Sequence, residues 1–99
     1  MTDLRRLFDD LVGVEIAVWD AVDARLRRDA AVPVGHFLPL RVIAATPGCR
    51  VLDVAAGLQI TVGAASKVVD RVEAAGLCER RPNPGDRRSS LLVLSLIHI

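Results

Sequence analysis

The 99-residue sequence has few of the residues from which disulfides and metal sites are built. Its two cysteines, Cys49 and Cys78, lie far apart without CxxC spacing, and its two histidines, His36 and His98, form no ligand cluster with them. We therefore predict no disulfide, no zinc site and no other cofactor. The thiols are expected to pack as small apolar side chains in a reducing compartment, in preference to acting as redox sensors.

Long hydrophobic runs are also absent. No apolar run approaches the roughly 20 residues that span a bilayer, and the N-terminal MTDLRRLFDD lacks the apolar core of a signal peptide. We therefore expect a cytoplasmic protein that does not enter a membrane. The 52% of hydrophobic and 25% of charged residues are typical of a folded globular chain, and the length suffices for one domain.

Catalytic patterns are missing as well. The sequence contains no Ser-His-Asp, Cys-His, paired-carboxylate or glycine-rich phosphate pattern, and His36 is better interpreted as a residue at a helix start than as a base. The prediction is that the chain is not an enzyme.

The charge of the chain is uneven, although the net charge is only +1. Between residues 80 and 88, four arginines oppose the single acid Asp86. These arginines are Arg80, Arg81, Arg87 and Arg88. A local basic stripe of this kind is typical of a surface that meets nucleic acid.

The N-terminal part has the period of one long amphipathic helix. Between residues 2 and 28, large apolar residues recur mainly at spacings of three and four, with Thr2 as its cap. The segment 29–35, which holds Pro33, ends this helix. About 26 residues make a helix of ~39 Å, longer than so small a domain needs for its own core. Part of its apolar face is therefore expected to meet another chain.

Two shorter helices are predicted next, over residues 36–46 and 51–57, and Pro47-Gly48 stops the first of them. Residues 58–60 form a turn, Thr61 caps a fourth helix, and Gly76 ends it in a left-handed conformation. Within the fourth helix, apolar residues at spacings of three and four are expected to face the core. They are Ala65, Val68, Val69 and Val72.

On the opposite side of the fourth helix, the side chains near the N-terminal end are unusually small, as at Gly63. The same side carries Lys67 and Arg71. A recognition helix enters the major groove with its N-terminal residues towards the bases, and this surface suits that approach. The alternative is an ordinary solvated helix.

Two strands, 77–81 and 90–95, follow as a hairpin whose turn-rich connection ends in two arginines. Arginines at such a tip can lie along phosphates or in a narrow minor groove.

The segment from residue 51 to 95 resembles the MarR family of bacterial transcription regulators. The resemblance is carried by Thr61, Ser66, Asp70-Arg71, Glu73, Gly76-Leu77, Arg80 and the triplet Asp86-Arg87-Arg88. The fold that it implies is mainly α with a small β-hairpin, a winged helix-turn-helix.

The resemblance further implies a regulator that binds double-stranded DNA and is a homodimer in its full-length form. The recognition helix, 61–76, would lie in the major groove and the wing, 82–90, on the minor groove or the backbone. Groove-facing positions would be Thr61, Gly63, Ala64, Ser66 and Lys67. Backbone or minor-groove contacts would come from Arg71, Arg87 and Arg88, with Asp86 orienting the wing. A small phenolic effector is a further expectation.

The domain organisation expected from these patterns has three parts. Residues 1–35 form the N-terminal helix, a dimerisation element, residues 36–95 form the winged helix-turn-helix domain, and residues 96–99 form a non-native tail. Relatives continue through two further helices, so the chain is expected to be truncated after the wing.

Two other functions stay open at the level of sequence. The same winged helix could serve as a protein-interaction module, which the apolar stripe of the first helix favours, or the chain could be a non-functional fragment. A protein-interaction module predicts no DNA affinity above background at low salt.

Overall fold

The computed structural model describes residues 3–95. Along this part of the chain four helices precede a two-stranded antiparallel sheet. The elements are α1 (Leu4–Ala30), α2 (Val34–Ala45), α3 (Val51–Leu58), α4 (Val62–Ala74), β1 (Cys78–Pro82) and β2 (Ser90–Leu94). This order confirms the predicted fold, mainly α with a small hairpin. The predicted non-native tail, 96–99, lies outside the described residues.

The chain divides into two compact units between Val34 and Gly35. In the N-terminal unit, α1 begins at Leu4 and is capped by Asp3, whose carboxylate accepts the amide hydrogens of Arg5 at 3.0 Å and Arg6 at 3.5 Å. The prediction of Thr2 as the cap was therefore wrong. A carboxylate directly before the first helical residue reaches two of the amides that have no partner within the helix.

The end of α1 lies two residues beyond the predicted one. Ala31 adopts φ 55°, and its amide donates to the carbonyl of Arg27 at 3.1 Å. An alanine in this left-handed region costs about 1 kcal/mol, so local sequence alone does not favour this stop. Three residues after Ala31, the amide of Val34 donates to the carboxylate of Asp23 at 2.8 Å. Because that amide is satisfied, α2 begins at Val34 instead of the predicted His36.

No residue of α1 is buried. Nine large apolar side chains on this helix are each at least 39% exposed, many at spacings of three and four. They are Leu4, Leu7, Phe8, Leu11, Val14, Ile16, Val18, Trp19 and Val22. The amphipathic pattern predicted for this segment is therefore present on a helix whose apolar side chains are open to solvent.

The C-terminal unit has its own hydrophobic core, built from α2, α3, α4 and the hairpin. Its buried members are Ile43, Cys49, Val54, Ala55, Ala65, Val69, Val72, Cys78 and Leu92. Both thiols are free, and both are buried, which was the predicted position for them. Burial raises the pKa of Cys49 and of Cys78, with smaller contributions from nearby carboxylates. Both cysteines thus have the environment of small apolar core residues.

Helices α3 and α4 form the predicted helix-turn-helix, and the chain turns through 108° between them. Gln59 adopts φ 56° at the end of α3, and the amide of Ile60 donates to the carbonyl of Ala55 at 3.0 Å. Thr61 then caps α4, as predicted, by accepting the amide hydrogen of Ala64 at 3.1 Å. The turn and the cap together fix where α4 starts.

The end of α4 also follows the prediction. Gly76 adopts φ 77°, and the amide of Leu77 donates to the carbonyl of Val72 at 2.9 Å. The amide of Gly76 itself donates to the carbonyl of Glu73 at 2.9 Å. This pair of bonds is the Schellman motif, in which a glycine tolerates the left-handed backbone that turns the chain into β1.

In the hairpin, Cys78 pairs with Leu94, Arg80 with Leu92, and Pro82 with Ser90. The strands differ by one residue from the predicted bounds, and Pro82 closes β1 at its last position. The amide of Leu92 donates to the carbonyl of Cys49 at 2.7 Å, just before α3. The hairpin is thereby joined by its backbone to the segment that leads into the helix-turn-helix.

No single helix among residues 3–95 is both long enough and apolar enough to cross a membrane. Helices α3 and α4 have the required length and apolar character only when they are counted together across their bend.

A close contact between α2 and α3 depends on a glycine. A Cβ built on Gly57 would lie 2.9 Å and 3.0 Å from the two γ-carbons of Val42. Those distances are too short for carbon atoms, and a valine in a helix has little rotamer freedom with which to move away.

We therefore expect Gly57→Ala to lower the free energy of unfolding by about 1 to 2 kcal/mol, because overpacking outweighs the gain in helix propensity. Urea unfolding monitored by circular dichroism measures the change. The matched control is Gly63→Ala, since no atom lies within 4 Å of a Cβ at that helical position. Adding Val42→Ala should recover part of the loss. Equal stability of the Gly57 and Gly63 variants would contradict this account.

Candidate nucleic-acid interface

Helix α4 has two distinct faces. Ala65, Val69 and Val72 are buried and Val68 is half-buried, which confirms the predicted core face. Of the predicted groove-facing positions, four are exposed and Ser66 is half-buried. The exposed ones are Thr61, Gly63, Ala64 and Lys67, and Arg71 further along the helix is exposed too. The structure therefore brings these residues to one accessible surface of a single rigid element.

The glycine on this surface, Gly63, is not required by internal packing. A Cβ added to Gly63 would meet no atom within 4 Å. Val62, which was not among the predicted positions, is 50% exposed beside it. Because the fold leaves this end of α4 uncrowded, another molecule can approach the helix backbone closely there.

The wing loop between β1 and β2 is held by its own polar side chains. Asp86 accepts the backbone amide hydrogen of Arg88 at 2.9 Å and the hydroxyl of Ser89 at 3.5 Å. Asn83 accepts the amide hydrogen of Gly85 at 3.0 Å and donates to Ser89 at 3.2 Å. Asp86, predicted to orient the wing, thus contacts Arg88 through the backbone amide of that arginine. A short carboxylate favours this local turn over a longer reach.

Both arginines at the tip of the wing are exposed. Within the described range, neither the Arg87 nor the Arg88 guanidinium lies within ion-pair distance of a carboxylate. Their charge is thus directed at solvent. An unpaired arginine on a held loop is a suitable donor for a phosphate oxygen.

The other two arginines of the predicted basic stripe are paired. Arg80 donates to Glu73 and to Asp70, each at 2.8 Å, and Arg81 lies 3.5 Å from Glu79. Fewer arginines of the basic stripe are therefore unpaired than the sequence suggested. The sequence misses part of this pairing because Asp70 and Glu73, the partners of Arg80, lie on a different element. The sequence signal for the Arg80 pair is the Asp70–Glu73 spacing of three, which puts both carboxylates on one side of α4.

A cleft of about 470 Å³ opens between the start of α3, the first turns of α4 and the base of the wing. It is lined by Arg50, Val51, Leu52, Val62, Ser66, Arg80, Asp86, Arg88, Ser89 and Ser90. The sequence does not reveal this cleft, because its walls come from three separate segments. Its lining combines apolar and cationic groups.

The sequence and the fold were compared with those of known proteins. The sequence model described as the MarR family matches residues 33–90. A comparison with curated proteins gave no significant match.

Among solved structures, Sco3205 from Streptomyces coelicolor, a MarR family transcriptional regulator in complex with DNA, matches with a TM-score of 0.77 and 26% identity over 95% of this chain. FabT from Streptococcus pneumoniae, also in complex with DNA, matches with a TM-score of 0.78 and 23% identity over 97% of the chain. AbsC from Streptomyces coelicolor, a MarR family regulator, matches with a TM-score of 0.80 and 20% identity over 99%. This chain spans 63% of the length of Sco3205 and 68% of FabT and AbsC.

Proposed function

We infer that this chain, which belongs to the MarR family, is a DNA-binding transcription regulator, or the DNA-binding part of one. We propose that α4 is its recognition helix and lies in the major groove, while the wing contacts the minor groove or the backbone. The observation that carries this proposal is the presence of both an uncrowded α4 face and two wing arginines that have no carboxylate partner among residues 3–95. That Sco3205 and FabT have been solved with DNA supports it.

For the major groove, the proposal assigns base or groove contacts to Thr61, Gly63, Ala64, Ser66 and Lys67. Lys67 is exposed on the second turn of α4 and is the only lysine in the sequence. A lysine at a major-groove edge donates to guanine oxygen or nitrogen acceptors. Gly63 and Ala64, which precede it and are exposed, let the helix backbone come close enough for that reach.

For the flanking DNA, the proposal assigns Arg71, Arg87 and Arg88 to phosphates or the minor groove. Asp86 orients the wing through the Arg88 amide. A loop whose backbone is held before binding loses less conformational freedom on binding, so its arginines gain affinity at lower cost.

The proposal also includes a homodimer formed through α1. The exposed apolar side chains of this helix form a surface that water disfavours, and a second copy offers the same surface. Two linked DNA-binding units gain affinity through effective concentration, which suits a pseudo-palindromic site.

A small phenolic effector is a further part of the proposal. The cleft at the base of the wing is the candidate site, because its arginines and serines lie beside Val51, Leu52 and Val62. An aromatic ring with a polar edge needs apolar walls and a few polar groups of this kind.

We expect Arg87→Ala/Arg88→Ala to weaken binding to all duplexes and to reduce the slope of log affinity against log salt by about one or two. The reason is that each phosphate that loses its arginine contact keeps its counterion when the protein binds. Fluorescence anisotropy of a labelled mixed-sequence duplex at several salt concentrations measures both. Arg41→Ala/Arg81→Ala is the control with the same change in net charge at exposed positions. Identical slopes in the two variants would remove the wing from DNA binding. No binding by the folded parent chain at low salt would favour a protein-interaction module instead.

Changing Lys67 to Met should alter preference among sequences more than overall affinity. The expected loss is about 1 to 3 kcal/mol on the best duplex selected from a random pool, and less on a random duplex, since a base contact is lost. Competition titrations with the two duplexes measure the difference. Equal losses on both duplexes would reassign Lys67 to a phosphate.

Self-association through α1 predicts that Leu11→Glu shifts the chain towards monomer, because a carboxylate is placed in an apolar contact. Sedimentation equilibrium across protein concentrations measures the association constant. Leu52→Glu is the matched control, since Leu52 on α3 is 55% exposed and Leu11 is 61% exposed. A parent chain that stays monomeric at high concentration, or equal effects of both substitutions, would exclude the α1 dimer.

A further inference from the structure

Arg80 connects β1 to two carboxylates of α4. Its two terminal guanidinium nitrogens donate to Glu73 Oε1 and Asp70 Oδ1, each at 2.8 Å. Its backbone amide donates to Glu73 Oε2 at 3.1 Å. The Arg80 side chain is only 25% exposed. Three hydrogen bonds therefore hold this arginine against the helix that the proposed function places in the major groove.

The two acids occupy a surface where a negative charge is unfavourable for DNA binding. Asp70 is 63% exposed, and it lies one residue before Arg71 and three after Lys67, both assigned to DNA. Glu73 is 39% exposed on the same side. A free carboxylate near these positions would repel phosphates and compete for the two cations.

We propose that Arg80 is a positioning residue that raises DNA affinity without touching DNA, by neutralising Asp70 and Glu73 on the recognition helix. This inference rests on the proposed function of α4. It separates Arg80 from Arg87 and Arg88, with which the sequence groups it.

The bonding of Arg80 supports this role over that of a phosphate contact. Burial by itself lowers the pKa of Arg80, but the hydrogen bonds to Asp70 and Glu73 outweigh it, so the pKa is raised. The guanidinium is thus engaged by two anions already. Moving it to a phosphate would leave both carboxylates unpaired beside the DNA.

The test compares DNA affinity of the full chain and its variants by anisotropy with a labelled mixed-sequence duplex. Arg80→Gln should weaken binding by roughly tenfold, because two unpaired carboxylates then face the phosphates through screening solvent. The triple variant Asp70→Ala/Glu73→Gln/Arg80→Gln should return to within about threefold of the parent. Alanine at 70 restores no hydrogen bond, and glutamine at 73 keeps an acceptor for the Arg80 amide. A purely mechanical clamp would therefore not be rescued.

Two controls keep the result interpretable. Arg81→Gln removes the same charge from the same strand, at a position paired with Glu79 outside α4, and should change affinity by less than about threefold. Arg80→Lys keeps the charge but loses the two-pronged geometry, so it should give a partial loss even if Arg80→Gln does not fold. Circular dichroism melts establish folding of each variant.

The outcomes separate this inference from the function on which it rests. A parent chain that binds no duplex overturns both. A parent that binds DNA, with a triple variant as weak as Arg80→Gln, overturns the masking role alone and assigns Arg80 to a DNA contact or a mechanical clamp. Equal losses of DNA affinity in Arg80→Gln and Arg81→Gln would show that the effect comes from the net charge of the chain and not from the position of Arg80. Full affinity of Arg80→Lys would likewise exclude the need for two simultaneous partners.

Discussion

The burial of one face of α4 is the constraint on which the rest of the candidate interface depends. Ala65, Val69 and Val72 are completely enclosed in the core of the C-terminal unit. Since a helix turns every 3.6 residues, fixing these three side chains inward fixes Gly63 and Lys67 outward. The rotation of α4 about its own axis is therefore set by hydrophobic packing. Polar groups on its exposed face are free to serve binding because they contribute little to that packing.

The wing extends this constraint to a second element. The backbone bond from Leu92 to Cys49 joins the hairpin to the start of α3, and Arg80 joins it to α4. The hairpin alone would be marginal, since two strands bury too little surface to be stable in water. Its anchors thus give Arg87 and Arg88 a defined position relative to the helix, while the loop's own Asp86 and Asn83 bonds shape the tip.

The sequence predicted those features that depend on neighbouring residues. Gly76 was identified as the end of α4 because a glycine after a periodic apolar segment has one favoured conformation, and the structure confirms it. The start of α2 was missed, since it depends on a bond from Val34 to Asp23, eleven residues away. Arg80 was assigned to a basic stripe for the same reason, because its partner Asp70 lies on another element. The cleft at the base of the wing escaped detection because the folded chain alone brings its three walls together.

The small net charge of +1 is compatible with DNA binding because of how the charges pair. Several arginines are engaged by acids, as in the Arg25–Asp29, Arg27–Asp23 and Arg80–Asp70 pairs. Counterion release depends on the cations that meet phosphates, so charges neutralised elsewhere add little to affinity. In the proposed binding mode, the basic surface arises because acids are neutralised by arginines that make no DNA contact, without an excess of basic residues. In the proposed function, the pairing of Asp70 and Glu73 with Arg80 contributes to the DNA-binding surface, even though all three residues would leave the phosphates untouched.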